Sequence, residues 1–164
     1  MSPTTTETVI QKYRVYIKAP ADAIWEAITS PEWNARYGYP GHSEYDLRPG
    51  GKFRALMPAE MVQTLGVPEV GVDGEVLEVD PPHLLVQTYR FCFDAAQEAE
   101  GFRRVTWEIV EEHGDYCRLT VTHDVTDAPI AAAMLEGSAP LEEGGGGWNW
   151  ILSTLKTELE AAQR

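Results

Sequence analysis

The stretch Gly-Gly-Gly-Gly-Trp-Asn-Trp-Ile-Leu-Ser-Thr-Leu-Lys-Thr-Glu-Leu at residues 144–159 decides the fold of this chain. Within it Trp148, Leu152, Leu155 and Leu159 follow one another at steps of four, three and four, which places them on one face of an α-helix. Such a large apolar face must be buried against a matching surface. We therefore predict a long C-terminal helix that packs on a sheet built from the preceding strands.

Most of the chain before this helix alternates apolar and polar residues, as β-strands with one buried face do. We predict strands over residues 13–18, 44–47, 52–57, 74–79, 84–91, 103–110 and 116–124. Because the strands are grouped rather than alternating with helices, the fold class is α+β with an antiparallel sheet.

Short helices flank the group of strands. One is predicted over residues 21–28, and a second begins with Ser30 as N-cap and Pro31 at the first helical position. After the last strand, Asp127 is positioned to cap a short helix over residues 131–134.

The glycines at 144–147 precede the long helix, and we expect them to form a flexible hinge. They do not predict phosphate binding, because the Lys-Ser/Thr pair of a phosphate-binding loop is missing.

The chain is acidic: its 164 residues carry a formal net charge of −13. Such a charge repels phosphate backbones and anionic lipids, so we expect neither nucleic acid nor a membrane as partner. The N-terminus lacks the basic start and apolar run of a signal peptide. We expect a flexible tail over residues 1–8 and a single domain over residues 9–164.

The two cysteines, Cys92 and Cys117, fall in separate predicted strands, and neither has metal-type spacing. We expect two free thiols in a reducing compartment, which favours the cytoplasm. No spacing among the histidines and cysteines indicates a metal site, and no motif indicates a cofactor.

Several motifs, in a fixed order, resemble the START-like, or SRPBCC, helix-grip superfamily. Within it the chain is similar to the C-terminal domain of activators of the heat-shock-protein-90 ATPase. The motifs are residues 17–25, residues 47–53, residues 74–85, residues 119–123 and the pair Gly147-Trp148. The resemblance implies a seven-stranded antiparallel sheet wrapped around the C-terminal helix, two short helices after the first strand, and an apolar cavity between sheet and helix. It does not fix function, because the fold hosts binding proteins, cyclases and co-chaperone domains.

Residues 57–71 depart from the resemblance, because the family has a tight hairpin at that point. Met61, Val62 and Leu65 predict a short amphipathic turn over the cavity mouth. As a second departure, we expect no counterpart of the separate N-terminal domain of the eukaryotic activators, which weakens the co-chaperone interpretation.

The inward faces of the predicted strands and of the helix supply the candidate site. The predicted ligand-binding residues are Phe53, Met57, Tyr89, Trp107, His123, Trp148 and Leu152. Aromatic rings with polar edges in an apolar space are typical of ligand pockets, although each residue alone fits ordinary core packing equally well. Among the titratable side chains we single out His123, which the strand period points inward, as the catalytic candidate; a satisfied core histidine is the alternative.

Three functions remain open from the sequence. No nucleophile motif is present, which favours binding of a small apolar or aromatic molecule over catalysis. The alternative is an enzyme of the polyketide cyclase or aromatase type, in which His123 with Tyr39 or Tyr89 polarises carbonyls. A co-chaperone or stress-response interaction module is the third. The sequence does not distinguish a monomer from a homodimer.

Overall fold

The computed structural model describes residues 7–163, and residues 1–6 of the predicted tail lie outside them. Its sheet has seven antiparallel strands in the order β1-β7-β6-β5-β4-β3-β2. The strands are β1 Ile10–Ile17, β2 His42–Tyr45, β3 Lys52–Leu56, β4 Val70–Asp80, β5 Leu84–Phe91, β6 Arg103–Glu111 and β7 Cys117–Asp124. The predicted α+β class and antiparallel sheet are confirmed.

The helices are α1 Ala21–Thr29, α2 Pro31–Asn34, α3 Ala59–Leu65, α4 Ala95–Ala99, α5 Pro129–Leu135 and α6 Gly147–Ala162, with a 3-10 turn at Leu141–Glu143. The two short helices after the first strand and the long final helix are as predicted. The α4 helix was not predicted; Asp94 caps it by accepting a hydrogen bond from the backbone of Gln97 at 2.8 Å.

The long helix α6 buries the face that the sequence predicted. Trp148, Leu152, Leu155 and Leu159 are each at most 3% exposed. At its other end Lys156 Nζ donates to the Tyr16 carbonyl of β1 at 2.8 Å. The helix is therefore fixed to the sheet by apolar burial along its length and by a hydrogen bond near its C-terminus.

The register of the central strands places three inward residues in one row. Gln87 of β5 lies opposite Val105 of β6, which in turn lies opposite His123 of β7. All three are at most 1% exposed. This row lies beneath the aromatic side chains of Tyr89, Trp107 and Trp148, which contact it.

The predicted cap of α5 was wrong. Asp127 takes a left-handed conformation (φ 57°), and Ala128 precedes the helix without a side-chain cap. The Glu100 carboxylate caps the helix instead, accepting hydrogen bonds from the backbone of Ile130 at 2.8 Å and Ala131 at 3.0 Å. The capping carboxylate comes from a distant loop, so local sequence does not reveal it.

Three of the four glycines before α6 are close-packed, which corrects the prediction of a flexible hinge. Gly145, Gly146 and Gly147 are buried. A Cβ at Gly147 would lie 2.2 Å from the Leu135 carbonyl oxygen, and one at Gly145 would lie 2.3 Å from Ala139 Cβ. The glycines let the start of α6 approach α5 and the segment that follows it.

The two cysteines are free, as predicted. Cys117 lies on β7 and is buried, whereas Cys92 follows the end of β5 and is half-buried. Strand β6 separates β5 from β7.

Candidate ligand-binding cavity

A cavity of about 630 Å³ opens between the sheet, helix α6 and the loops at one end of both. Apolar and aromatic side chains form most of its surface. The wall includes Ile28, Tyr37, Tyr45, Phe53, Ala55, Leu56, Met57, Met61, Val72, Tyr89, Phe91, Phe93, Trp107, Met134, Leu135, Trp148 and Ile151. Glu142, Glu143 and His42 also border it. The space suits a small molecule with an apolar body.

Aromatic rings in contact with one another run across the wall from β2 to α6. The ring centroids of Tyr45 and Phe53 are 4.7 Å apart, and those of Phe53 and Tyr89 are 5.7 Å apart. Trp148 then lies 5.9 Å from Tyr89 and 5.2 Å from Trp107, the latter at 87°. These distances are those of favourable aromatic pairs, so the rings support one another.

The loop between α2 and β2 is hydrogen-bonded to the start of α6. The Tyr39 hydroxyl donates to the Gly144 carbonyl at 3.0 Å and accepts from the Gly147 backbone at 2.9 Å. Trp150 Nε1 donates to the Gly38 carbonyl at 3.2 Å. The side of the cavity nearest to α6 is thus a fixed surface.

Asn34 fastens the other end of that loop to the sheet. It is 9% exposed, and its Oδ1 accepts from the Ser43 backbone at 2.8 Å. Neither Asn34 nor Tyr39 belonged to the predicted ligand-binding set. Tyr39 appeared only in the cyclase alternative, and its occupied hydroxyl now acts as a structural anchor.

Gln87 lies behind the wall, where two wall residues donate to it. The Tyr45 hydroxyl and Trp107 Nε1 both donate to Gln87 Oε1, at 2.8 and 3.0 Å. Gln87 Nε2 is buried and has no hydrogen-bond partner among the residues that the structure describes. The sequence placed Gln87 on the inward face without marking it as a functional residue.

His123 also lies behind the wall. Trp148 Nε1 donates to His123 Nδ1 at 3.1 Å, and the Tyr89 ring meets the imidazole edge-on at 5.3 Å between centroids. Burial lowers the pKa of His123 to about 4, against a smaller opposing effect of Asp124. The imidazole is therefore neutral at physiological pH.

The cavity tyrosines stay protonated. Burial raises the pKa of Tyr89, with a smaller contribution from Tyr39, and burial alone raises the pKa of Tyr37. Burial and the neighbouring Tyr89 and Tyr37 raise the pKa of Tyr45, and the hydrogen bond to Gln87 only partly offsets this. Within residues 7–163 no group hydrogen-bonds the Tyr89 hydroxyl, so this wall residue has an uncommitted polar group.

The segment between β3 and β4 borders the cavity, as predicted. Helix α3 forms the amphipathic turn, and Met57 and Met61 contribute to the wall. Leu65, which was predicted to join them, is 67% exposed and points away.

The structure brings most of the predicted ligand-binding residues together. Phe53, Met57, Tyr89, Trp107 and Trp148 line the cavity. Leu152 does not; it is 3% exposed in the core beneath α6. His123 does not reach the surface of the cavity either, because Tyr89 and Trp148, which both contact it, form the wall there. The sequence correctly predicts that both side chains point inward. How far each lies from the cavity depends on how the sheet curves around α6, and local sequence does not determine that.

A seven-stranded antiparallel sheet around one long helix, with a cavity between them, defines a protein of the helix-grip class. Residues 18–160 match the family described as activator of Hsp90 ATPase homolog 1-like protein. The chain belongs to that family, as its resemblance indicated. Comparison with curated proteins finds no match.

Solved structures share the fold at low sequence identity. CalU16 from Micromonospora echinospora is 21% identical, with a TM-score of 0.62 over 96% of this chain and 76% of its own. PFC0360w, an HSP90 activator from Plasmodium falciparum, is 21% identical, with a TM-score of 0.61 over 92% of this chain and 95% of its own. DynU16, from the dynemicin biosynthetic locus, is 23% identical, with a TM-score of 0.62 over 93% of this chain but only 48% of its own.

Within residues 7–163, no helix has the length and apolar character needed to cross a membrane.

Proposed function

We propose that the protein binds a small, largely apolar or aromatic molecule in the cavity between the sheet and α6. The observation that carries the proposal is a cavity of about 630 Å³ walled by aromatic rings in mutual contact. That volume lies within the roughly 300–1,000 Å³ typical of small-molecule sites. Close-packed interiors contain few voids larger than a water molecule, so a space of this size points to a ligand.

The site favours binding over the cyclase alternative. That alternative relied on His123 with the hydroxyl of Tyr39 or Tyr89. The Tyr39 hydroxyl is occupied by backbone groups, and His123 Nδ1 accepts from the Trp148 indole, so neither atom is free to act as a base. Tyr39 and Tyr89 both line the cavity, but only the Tyr89 hydroxyl has no hydrogen bond within residues 7–163.

The relatives and the thiols bear on the role and the compartment. DynU16, from a biosynthetic locus, has the same fold, which agrees with a small-molecule role. The free thiols agree with the cytoplasm as the working compartment. The co-chaperone alternative follows from the family and from the fold shared with PFC0360w; it becomes the leading hypothesis if the cavity binds nothing.

A cavity-filling variant tests the proposal with Nile red, a neutral fused-ring dye that becomes fluorescent in apolar surroundings. Ala55 lines the cavity from β3, so Ala55→Trp should weaken dye binding at least tenfold. Lys52→Trp is the matched control, because it adds the same ring on the same strand at an exposed position. Native mass spectrometry of the purified protein should also show a co-purifying molecule. Equal dye binding by both variants would contradict the proposal.

A further inference from the structure

Two buried hydrogen-bond donors lie directly behind the aromatic wall and have no acceptor within residues 7–163. They are Gln87 Nε2 and His123 Nε2, on side chains that are at most 1% exposed. Buried polar groups are nearly always hydrogen-bonded, because a buried donor without an acceptor is costly. Two such groups in one part of the core therefore need an explanation.

The neighbouring indoles show that both free nitrogens are donors. An indole N–H can only donate, so the atom that it meets must be an acceptor. Trp107 meets Gln87 Oε1, which assigns Gln87 Nε2 as the free amide. Trp148 meets His123 Nδ1, so the neutral imidazole carries its proton on Nε2.

Both donors are one side chain away from the cavity. Gln87 and His123 flank Val105 in the inward row of β5, β6 and β7. Every side chain that donates a hydrogen bond to either of them (Tyr45, Trp107 and Trp148) lines the cavity. The Tyr89 ring, which covers His123, has no hydrogen bond from its hydroxyl within residues 7–163. The ring itself contacts the rings of Phe53, Phe91, His123 and Trp148.

We propose that the ligand carries a hydrogen-bond acceptor, a ketone-like carbonyl oxygen, and that the Gln87 amide and the His123 imidazole donate to it from behind the aromatic wall. This inference rests on the proposed function and specifies the chemistry of the ligand. A neutral oxygen is favoured over a carboxylate because both donors are neutral, and a buried anion needs a cation beside it. The aromatic body occupies the cavity, and the Tyr89 ring, which contacts His123 at the wall, must turn aside for the carbonyl to reach the two donors.

A matched pair of probes tests the inference. 2-Acetonaphthone and 2-isopropenylnaphthalene have nearly the same planar shape, but only the ketone has an acceptor. The unaltered protein should bind the ketone about fivefold to tenfold more tightly, which one or two buried hydrogen bonds would produce. In the variants Gln87→Met and His123→Phe this ratio should fall toward one. Each ratio compares the affinities of the two probes for the same protein, so a variant that weakens the binding of both probes equally leaves the ratio unchanged.

Thr120→Val is the control variant. Thr120 is a buried polar residue of β7 that accepts a hydrogen bond from Arg14 and does not contact Gln87 or His123 through a hydrogen bond, so the ratio should not change.

If a core variant fails to fold, the infrared carbonyl stretch of acetonaphthone bound to the unaltered protein still shows whether the carbonyl is hydrogen-bonded. A shift to lower frequency than in hydrocarbon solvent is expected.

The outcomes separate the two proposals. If neither probe binds, the proposed function fails together with this inference. If both bind equally and the carbonyl stretch is that of a free ketone, the cavity binds ligands but the inference is overturned. In that case Gln87 and His123 donate hydrogen bonds to a buried water molecule instead.

Discussion

The indole of Trp148 donates a hydrogen bond to Nδ1 of His123 at 3.1 Å, which joins the long helix to β7 inside the core. This contact supplies the orienting partner that the sequence could not identify for His123. It also explains why a histidine is tolerated at a position that is 1% exposed: Nδ1 is satisfied and the ring stays neutral.

The first prediction concerns stability and pH. The pKa of His123 is about 4 in the folded protein and about 6.5 in an unfolded chain. Between these values the unfolded chain binds a proton that the folded protein does not, so stability is lost as pH falls from about 6.5 to about 4. We expect a loss of about 3 kcal/mol from this group.

Denaturant unfolding at pH 7, 5.5 and 4.5 checks this prediction. His123→Phe is less stable at pH 7 but should lose less stability on acidification, because it has no imidazole to protonate. The pKa values of Asp73 and Asp124 are also lowered, so these carboxylates change stability below about pH 4; the variant loses only the small contribution of His123 to the Asp124 pKa. Parallel pH profiles for the two proteins would contradict the assignment.

The second prediction concerns the apolar face of α6. Leu152 is 3% exposed, so Leu152→Ala should destabilise the protein by about 2–5 kcal/mol through lost burial and a residual cavity. Ser153→Ala, one residue further on the exposed face, should change stability by less than about 0.5 kcal/mol. Chemical denaturation measures both, and similar midpoints would show that the helix does not pack as described.

The third prediction separates two glycines with the same backbone conformation. Gly144 (φ 73°) and Gly147 (φ 60°) are both left-handed, so alanine at either should cost about 1–2 kcal/mol in strain. A Cβ at Gly144 meets nothing within 4 Å, whereas at Gly147 it lies 2.2 Å from the Leu135 carbonyl oxygen. Gly147→Ala should therefore cost a further 1–3 kcal/mol or so in unfolding free energy. Equal losses of unfolding free energy in the two variants would mean that α6 and α5 are less closely packed than in this structure.

The fourth prediction concerns the thiols. Ellman's reagent should titrate both Cys92 and Cys117 in unfolded, unreduced protein, because neither is in a disulfide. In the folded protein both should react slowly. Burial and the hydrogen bond to Asp73 raise the pKa of Cys92 to about 11, and Cys117 is buried. Rapid reaction of either thiol in the native state would contradict this environment.

Much of the fold could be predicted from local pattern. Trp148, Leu152, Leu155 and Leu159 are buried together because helical spacing alone places them on one face. Likewise, alternation on β6 correctly places Trp107 inward. These predictions succeed because periodicity determines direction without reference to the rest of the chain.

The remainder depends on contacts between distant segments. Glu100 caps α5 from thirty residues away, and Tyr39 holds the start of α6 from a loop with no regular structure. His123 points inward as predicted, yet Tyr89 lies between it and the cavity. Alternation gives the face of a strand but not the depth of a residue, which depends on where the helix crosses the sheet.

The fifth prediction concerns the place where an aromatic molecule binds, which the proposed function puts in the cavity between the sheet and α6. Isotope-filtered NOE spectroscopy with unlabelled 2-acetonaphthone and labelled protein reports which side chains lie beside the probe. We expect NOEs to the rings of Phe53, Tyr89, Trp107 and Trp148, which line the cavity. A saturable complex whose NOEs fall only on exposed residues outside it, such as Val110 or Tyr116, would contradict it.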